Sequence, residues 1–287
     1  MVANLLTFDI EGFIEASHDQ MHVPAKYISE VGEAREIEVN TLKILELLEE
    51  FDQRATFFVL GRIGRDMPGL VRRIAAGGHE IACHSFDHRR LYGFPRPEVE
   101  RFLVAAKRAL EDASGRPVHG FRAPDFSIVE ANAWVFDALR EIGFVYDSSV
   151  YPIGFHDVYG IGGFPAVPFR MPNGLIEVPL STVRLLNRNI PFGGGGYLRI
   201  YPFLLTKTLF AAANRRGVPG IVYLHPFEIG EIVPRIAEMT LARRLRTYTG
   251  VRSAREKLRA LLSLFPFTRV VDYLEANTLP DLVAGKA

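Results

Sequence analysis

The sequence predicts an α/β fold, a barrel of parallel strands and crossover helices followed by a helical C-terminal extension. Three observations predict it. Short apolar runs alternate with amphipathic segments, glycines and prolines mark the boundaries, and polar residues recur where the apolar runs end. Strand–helix alternation means parallel strands joined by helices, and five or more such units suggest a barrel, although an open doubly wound sheet has a similar pattern. No Gly-x-Gly-x-x-Gly follows the first strand, which weighs against a dinucleotide fold.

Asn4–Phe8 reads as the first strand. Leu42, Leu45, Leu48 and Phe51 recur at helical spacing within Asn40–Phe51. Ala55–Leu60 is a strand, and Pro68–Ala76 is a helix with proline at its start and Gly77-Gly78 as its stop. His79–His84 is the next strand. Pro97–Ser114 is a helix closed by Gly115, and Val118–Arg122 is a strand. Ala131–Ile142 is a helix ended by Gly143, and Phe144–Tyr146 is a short strand. Ile176–Pro179 and Gly220–His225 are later strands. Gly193-Gly194-Gly195-Gly196 follows no clear strand and precedes no Lys-Ser/Thr, so it suits a flexible loop or a close backbone approach better than a phosphate loop. Beyond Glu228, residues 234–264 have helical spacing and carry Arg235, Arg243, Arg244, Arg246, Arg252, Arg255 and Arg259. The expected role of these arginines is a solvated helix face rather than an anion site. Phe265–Tyr273 then reads as a closing strand and helix. We expect a single domain over residues 1–287, with residues 230–287 as a helical extension packed on it.

Composition bounds the function. The 287 residues are 48% hydrophobic and 23% charged, enough for a core that needs no staple. A net charge of +1 gives no argument for nucleic acid. The single cysteine, Cys83, excludes an internal disulfide framework and suits a reducing compartment. The run from Met1 to Asp9 lacks a basic leader and ends in acid, so it is expected to be a buried strand and not a secretion signal. No uninterrupted apolar stretch is long enough to span a bilayer. The expected setting is cytoplasmic, without stable membrane insertion, and self-association stays open.

The chemistry is expected at strand ends, where parallel barrels keep it. The first strand ends in Asp9-Ile10-Glu11. Another ends in His84, with His88 four residues on. Others end in Arg122-Ala123-Pro124, in Asp147-Ser148-Ser149 and in Leu224-His225-Pro226. Two imidazoles and a carboxylate are a recurrent zinc set that leaves a position for water. A second carboxylate can act as general base, and a separate histidine can protonate a leaving group. Each residue alone has a plainer reading: Asp9 as a cap, His225 as a buried core histidine, Asp147-Ser148-Ser149 as a turn. Their joint occurrence is what points to function.

Thr-Phe-Asp, His-Ser-x-x-His, Arg-x-Pro, Asp-Ser-Ser and Leu-His-Pro stand here in the order found in the NodB-type polysaccharide deacetylases, carbohydrate esterase family four, which the chain resembles from about Leu5 to Glu228. Gly-Gly-Gly-Gly-Tyr-x-Arg and the segment after Leu-His-Pro are similar to the subfamily of exopolysaccharide loci of the PEP-CTERM type. The resemblance implies a distorted barrel of about seven strands and a metal-dependent N-deacetylase acting on an N-acetylated glycan. It implies Asp9 as base, Arg122 as the group that fixes Asp9, and His225 as general acid oriented by Asp147. It further implies His84 and His88 as metal ligands, the backbone N–H after Pro124 as oxyanion donor, and Leu224, Phe126 and Tyr151 as pocket residues.

Two departures stand out. The family usually has adjacent aspartates, base then ligand, whereas Ile10 follows Asp9 here. Neighbouring strand residues face opposite sides, so Glu11 is the substitute ligand. No tryptophan follows Ser149, and Tyr151 takes that volume. The metal is expected to be Zn2+, with Co2+, Ni2+, Fe2+ and Mn2+ also compatible with these donors. His18 or His22, in the loop after the first strand, is a weaker candidate for approaching substrate. The alternatives are an allantoinase-like hydrolase of a small amide on the same fold, and a non-catalytic glycan-binding protein of an exopolysaccharide system.

Overall fold

In the computed structural model, residues 2–15, 27, 29–153, 163–185 and 188–282 are described. The first half alternates as its periodicity predicts: β1 (Asn4–Ile10), α1 (Glu30–Glu50), β2 (Thr56–Val59), α2 (Gly61–Asp66), α3 (Pro68–Ala76), β3 (Glu80–Cys83), α4 (Arg96–Ser114), β4 (Gly120–Phe121), α5 (Val135–Ile142) and β5 (Tyr146–Asp147). The second half is less regular. It runs β6 (Phe169–Arg170), β7 (Ile176–Glu177), β8 (Thr182–Leu185), β9 (Arg188–Pro191), α6 (Gly195–Ile200), α7 (Phe203–Arg215) and β10 (Ile221–Leu224). It ends with α8 (Pro226–Ile229), α9 (Leu241–Tyr248), α10 (Val251–Leu264), β11 (Phe267–Thr268) and α11 (Val270–Ala276).

One curled sheet of nine strands has the order β10-β1-β2-β3-β4-β5-β7-β6, and β11 pairs with the start of β1. The expected count was about seven. The additional strands are two residues long, too short to leave a periodic signal. All neighbours are parallel except β6 on β7. β8 and β9 form a separate antiparallel hairpin.

One row of paired residues crosses the sheet: Ile10, Val59, Cys83, Phe121, Asp147 and Glu177. Ile10, Val59, Cys83 and Phe121 join Ile37 of α1 and Leu103, Ala106 and Leu110 of α4 in the main core. This row therefore faces the helical layer. Residues one position away face the hollow of the sheet, where Leu5, Phe58, Ala82, Tyr146 and Ile176 fill the lower end. Cys83 fits its expected place as a small buried apolar residue, and burial pushes its thiol up to about 12.

β10 and β6 do not pair with each other, and the hollow is closed on that side by irregular backbone. Tyr223 N donates to Gly193 O (3.1 Å), and Ile221 N donates to Ser181 Oγ. This use of Gly193-Gly194-Gly195 is the close backbone approach that the glycine run suggested. Gly193 has φ +87, and a Cβ there would lie 2.1 Å from Ile221 O. In the C-terminal part, α10 packs on α6 and α8, and α8 packs on α1. No described helix is long and apolar enough to cross a membrane.

Two outcomes follow for stability. Gly193→Ala meets both a left-handed backbone and the Ile221 carbonyl, and is expected to cost about 3–5 kcal/mol in urea unfolding. Gly115→Ala, at φ +66 with nothing within 4 Å, should cost only about 1–2 kcal/mol. Equal losses would remove the close approach as the reason for Gly193. His79 is buried, with Nδ1 accepting from Ala55 N (3.3 Å). Burial, then the charges of Arg269 and Arg54, push it down to about 4. The unfolded chain thus takes up a proton between pH 6.5 and 4 that the fold refuses. This group's contribution is full above pH 6.5 and gone below pH 4, a loss of roughly 3–4 kcal/mol, and an NMR titration of His79 with a midpoint near 6.5 would refute it.

Candidate active site

Glu11, His84 and His88 converge. One ligand atom from each lies within 4.8 Å of the others. His88 Nε2 is 2.7 Å and His84 Nε2 3.4 Å from Glu11 Oε2. Both Glu11 oxygens are buried, and neither is in a hydrogen bond of acceptable angle. His84 Nδ1 lies 2.8 Å from Arg122 O, so that nitrogen donates and Nε2 keeps its lone pair for the centre. A buried carboxylate lacking well-angled partners, beside two imidazoles held in ligating orientation, fits a divalent cation. Burial alone would raise the Glu11 carboxyl, but the charge of His88 and the nearness of both imidazoles hold it well below the carboxylate range. In return Glu11 outweighs burial and raises His88 to about 9.

Asp9 lies on the same side of β1 as Glu11, two residues earlier. Arg122, fully buried, donates from Nη1 to Asp9 Oδ1 (2.7 Å) and to Thr7 Oγ1 (3.0 Å), and from Nη2 to Ser148 Oγ (3.0 Å). Its guanidinium sits 4.0 Å over the Phe58 ring. Next to it the chain is strained: Asp125 and Phe126 both have φ near 51, and Ser85 has φ 67. Phe126 N is used by Ala123 O (3.0 Å).

His225 reaches the cluster from the end of β10, with Nε2 3.2 Å from Glu11 Oε1. Its Nδ1 meets Glu228 Oε2 (3.0 Å), the same oxygen that accepts from His225 N (3.0 Å). Burial would lower the His225 pKa, but the bond and charge of Glu228, then Glu11 and Asp9, raise it to about 9. Glu228 is held in turn by Arg199 Nε (2.7 Å), and Arg199 Nη1 donates to Thr247 O (2.6 Å) in the last turn of α9 and to Thr249 O (3.2 Å) just past it. Gly195 makes room for this arrangement, since a Cβ there would lie 1.8 Å from Glu228 Oε2.

Two expectations need correction. Asp147 does not orient His225. It belongs to the outer row of the sheet, where it accepts from Ser149 Oγ (2.6 Å) and neighbours Glu177. Burial raises both of these carboxyls, and the charge of Asp147 raises Glu177 further. The alternation that excludes Ile10 as a ligand excludes Asp147 as well; Ser148 is the residue that turns inward. Leu224 pairs with Phe8 in the outer core for the same reason, and Tyr223 turns into the hollow instead. Phe126 does line the cleft. Tyr151 packs behind it, at 5.6 Å between ring centres, in a cluster with Leu180 and Tyr223. His18 and His22 lie outside the described residues.

Asp9, Glu11, His84, His88 and His225 open on one cleft of about 360 Å³. Glu228 and Arg199 are the residues that sequence reasoning missed. Glu228 had a faint signal, the capping spacing three residues after His225. Arg199 had none beyond its place after the glycine run. Removing one member of a buried ion pair costs about 3–5 kcal/mol, so Arg199→Ala should lower unfolding stability by that order. Hydrogen exchange should also quicken across α9, and unchanged exchange there would show that Arg199 does not hold that helix.

Comparison with known proteins agrees with the motif order. Residues 30–146 match the polysaccharide deacetylase family, and residues 148–275 match a domain of unknown function, DUF3473. A chitooligosaccharide deacetylase of Sinorhizobium fredii is 38% identical over 102 residues, 33% of this chain and 47% of that protein. A peptidoglycan-N-acetylglucosamine deacetylase of Bacillus cereus is 32% identical over 90 residues, 31% of this chain and 33% of that protein. The matched stretches thus take in less than half of these relatives' own length. Among solved structures, one from Mycobacterium smegmatis described as a polysaccharide deacetylase superposes with a TM-score of 0.64 at 22% identity, over 99% of this chain and 94% of that one. The Puue allantoinase superposes at 0.58 with 17% identity, over 94% and 88%. These two likenesses concern the fold. Residues 30–146 thus form a segment similar to the polysaccharide deacetylases, whose NodB-type strand-end motifs stand here in the same order, and a DUF3473 segment completes the sheet.

Proposed function

We propose that this protein removes N-acetyl groups from N-acetylhexosamine units of a glycan or its oligosaccharide precursor, in the making of an exopolysaccharide. The observation that carries the reading is the placement of two differently supported groups around one donor set. Asp9, gripped by Arg122, and His225, gripped by Glu228, both border Glu11, His84 and His88 in a single cleft.

Glu11, His84 and His88 would hold a divalent cation, zinc first among those that suit two imidazoles and a carboxylate. Bound there, the cation supplies a Lewis acid that polarises the acetyl carbonyl and acidifies water. Asp9 takes the proton of the attacking water as the C–O bond forms. Arg122 holds the Asp9 carboxylate in place through its Nη1 donor. The backbone N–H of Asp125, on the strained turn, is the donor proposed for the developing oxyanion. The C–N bond then breaks, and His225 gives its proton to the departing amine, leaving acetate and a free amino sugar. His225 is suited to the acid role because Glu228 favours its protonated form. A cytoplasmic setting, which the lone buried thiol of Cys83 suits, would make a precursor the substrate.

The test measures bound metal and acetate release from chitotetraose together. Asp9→Asn should keep the metal and lose about 10²–10⁴-fold in rate. His84→Ala should lose the metal as well. Equal acetate release by parent and Asp9→Asn removes Asp9 as the base, and metal-free active protein removes the Glu11-His84-His88 centre.

A further inference from the structure

The cleft has a second wall that the deacetylation chemistry does not use. Arg243 and Arg246 of α9 line it, with Tyr197 and Ile200 of α6, along with the carboxylates and imidazoles. α9 reads Leu-Ala-Arg-Arg-Leu-Arg-Thr-Tyr, three arginines and no acid. Its only fully buried residue is Thr247; Tyr248 at its end stacks on Phe13, while Leu241 and Leu245 stand exposed, so little of the helix is held by apolar packing. The polar clamp from Arg199 to the carbonyls of Arg246, Thr247 and Thr249 fixes it there.

Arg246 is not needed to neutralise the cleft's carboxylates. Asp9 is paired with Arg122 (2.7 Å), Glu228 with Arg199 (2.7 Å) and Asp125 with Arg90 (2.8 Å). Glu11 has three imidazoles around it. The Arg246 guanidinium has no carboxylate partner among the described residues. By contrast Arg259, from the same basic stretch, pairs with Glu50, and Arg235 lies 4.5 Å over the Tyr248 ring. So the basic stretch divides: some members are the surface arginines that its composition suggested, and two border the reaction cleft.

We propose that Arg243 and Arg246 recognise an anionic group carried by the substrate near the acetamido sugar, so that the protein acts on an acidic N-acetylated glycan rather than a neutral chitin-like chain. The proposal rests on the deacetylase reading. A planar guanidinium pairs with a carboxylate or a phosphate through parallel N–H donors, so both groups share the chemistry. A uronic acid in the chain and a phosphate ester of a precursor are the two sources.

Three probes separate them: chitotetraose, a tetrasaccharide of alternating N-acetylglucosamine and glucuronic acid, and UDP-N-acetylglucosamine. Acetate release and calorimetric binding are measured for the parent, Arg246→Ala, Arg246→Lys and the Arg243→Ala/Arg246→Ala double variant. Charge-assisted hydrogen bonds of this kind predict that the parent favours one anionic probe by roughly 10–100-fold in kcat/KM and in affinity. The double variant should bring that ratio close to one, Arg246→Lys should keep part of it, and added salt should weaken it. The favoured anionic probe identifies the source. A parent that takes chitotetraose as well as either anionic probe overturns the proposal, as does a ratio that survives in a folded double variant. Binding preference through Arg246 without acetate release from any probe would sink the deacetylase reading and leave the anion site standing.

Discussion

Along β1 the side chains enter two different environments. Leu6, Phe8 and Ile10 join the layer between sheet and helices, while Thr7, Asp9 and, just beyond, Glu11 face the hollow. The register carries this division across the sheet, so that His84, Arg122 and Ser148 turn inward while Cys83, Phe121 and Asp147 turn outward. A slip of one residue in any strand would exchange the two sets, placing Phe or Cys in the cleft and a charge in the core. The burial of Phe8, Phe57 and Phe121 therefore fixes the position of the reactive groups as much as any contact between those groups does.

Placing this many charges out of water is tolerable only if each has a partner. The pairs are specific, and they differ in kind. Arg122 holds Asp9 through a planar guanidinium stacked against Phe58, which keeps the carboxylate still. Glu228 holds His225 through the one ring nitrogen that does not face Glu11. Glu11 alone has only imidazoles, at angles that make poor hydrogen bonds, as suits donors arranged around a cation.

The segment that matches DUF3473 supplies parts the cleft cannot do without. β7 and β10 are strands of the same sheet as β1. Gly193, Gly194 and Gly195 let backbone pass where a Cβ would collide with Ile221 O, the Tyr223 ring and Glu228. Arg199 links Glu228 to the end of α9, and through it the C-terminal helices are mechanically joined to His225.

The strand-end residues were legible in the sequence because a parallel strand reports its own end through an apolar run followed by a polar residue. Asp9, Glu11, His84, His88, Arg122 and His225 could be chosen on that ground and by the motif order, and the period of two chose Glu11 over Ile10. The same period, applied at β5 and β10, would have turned Asp147 and Leu224 outward; there the motif order was followed instead. What only the tertiary structure decided is which groups from distant segments support these. Arg199 and Glu228 meet through a glycine run whose value lies in what it leaves empty, and α9 is tied to the cleft by its last carbonyls and by Tyr248 on Phe13 rather than by a full apolar stripe. Such pairings leave no period in the chain, because they depend on where two backbones pass in space and not on the spacing of residues along either one.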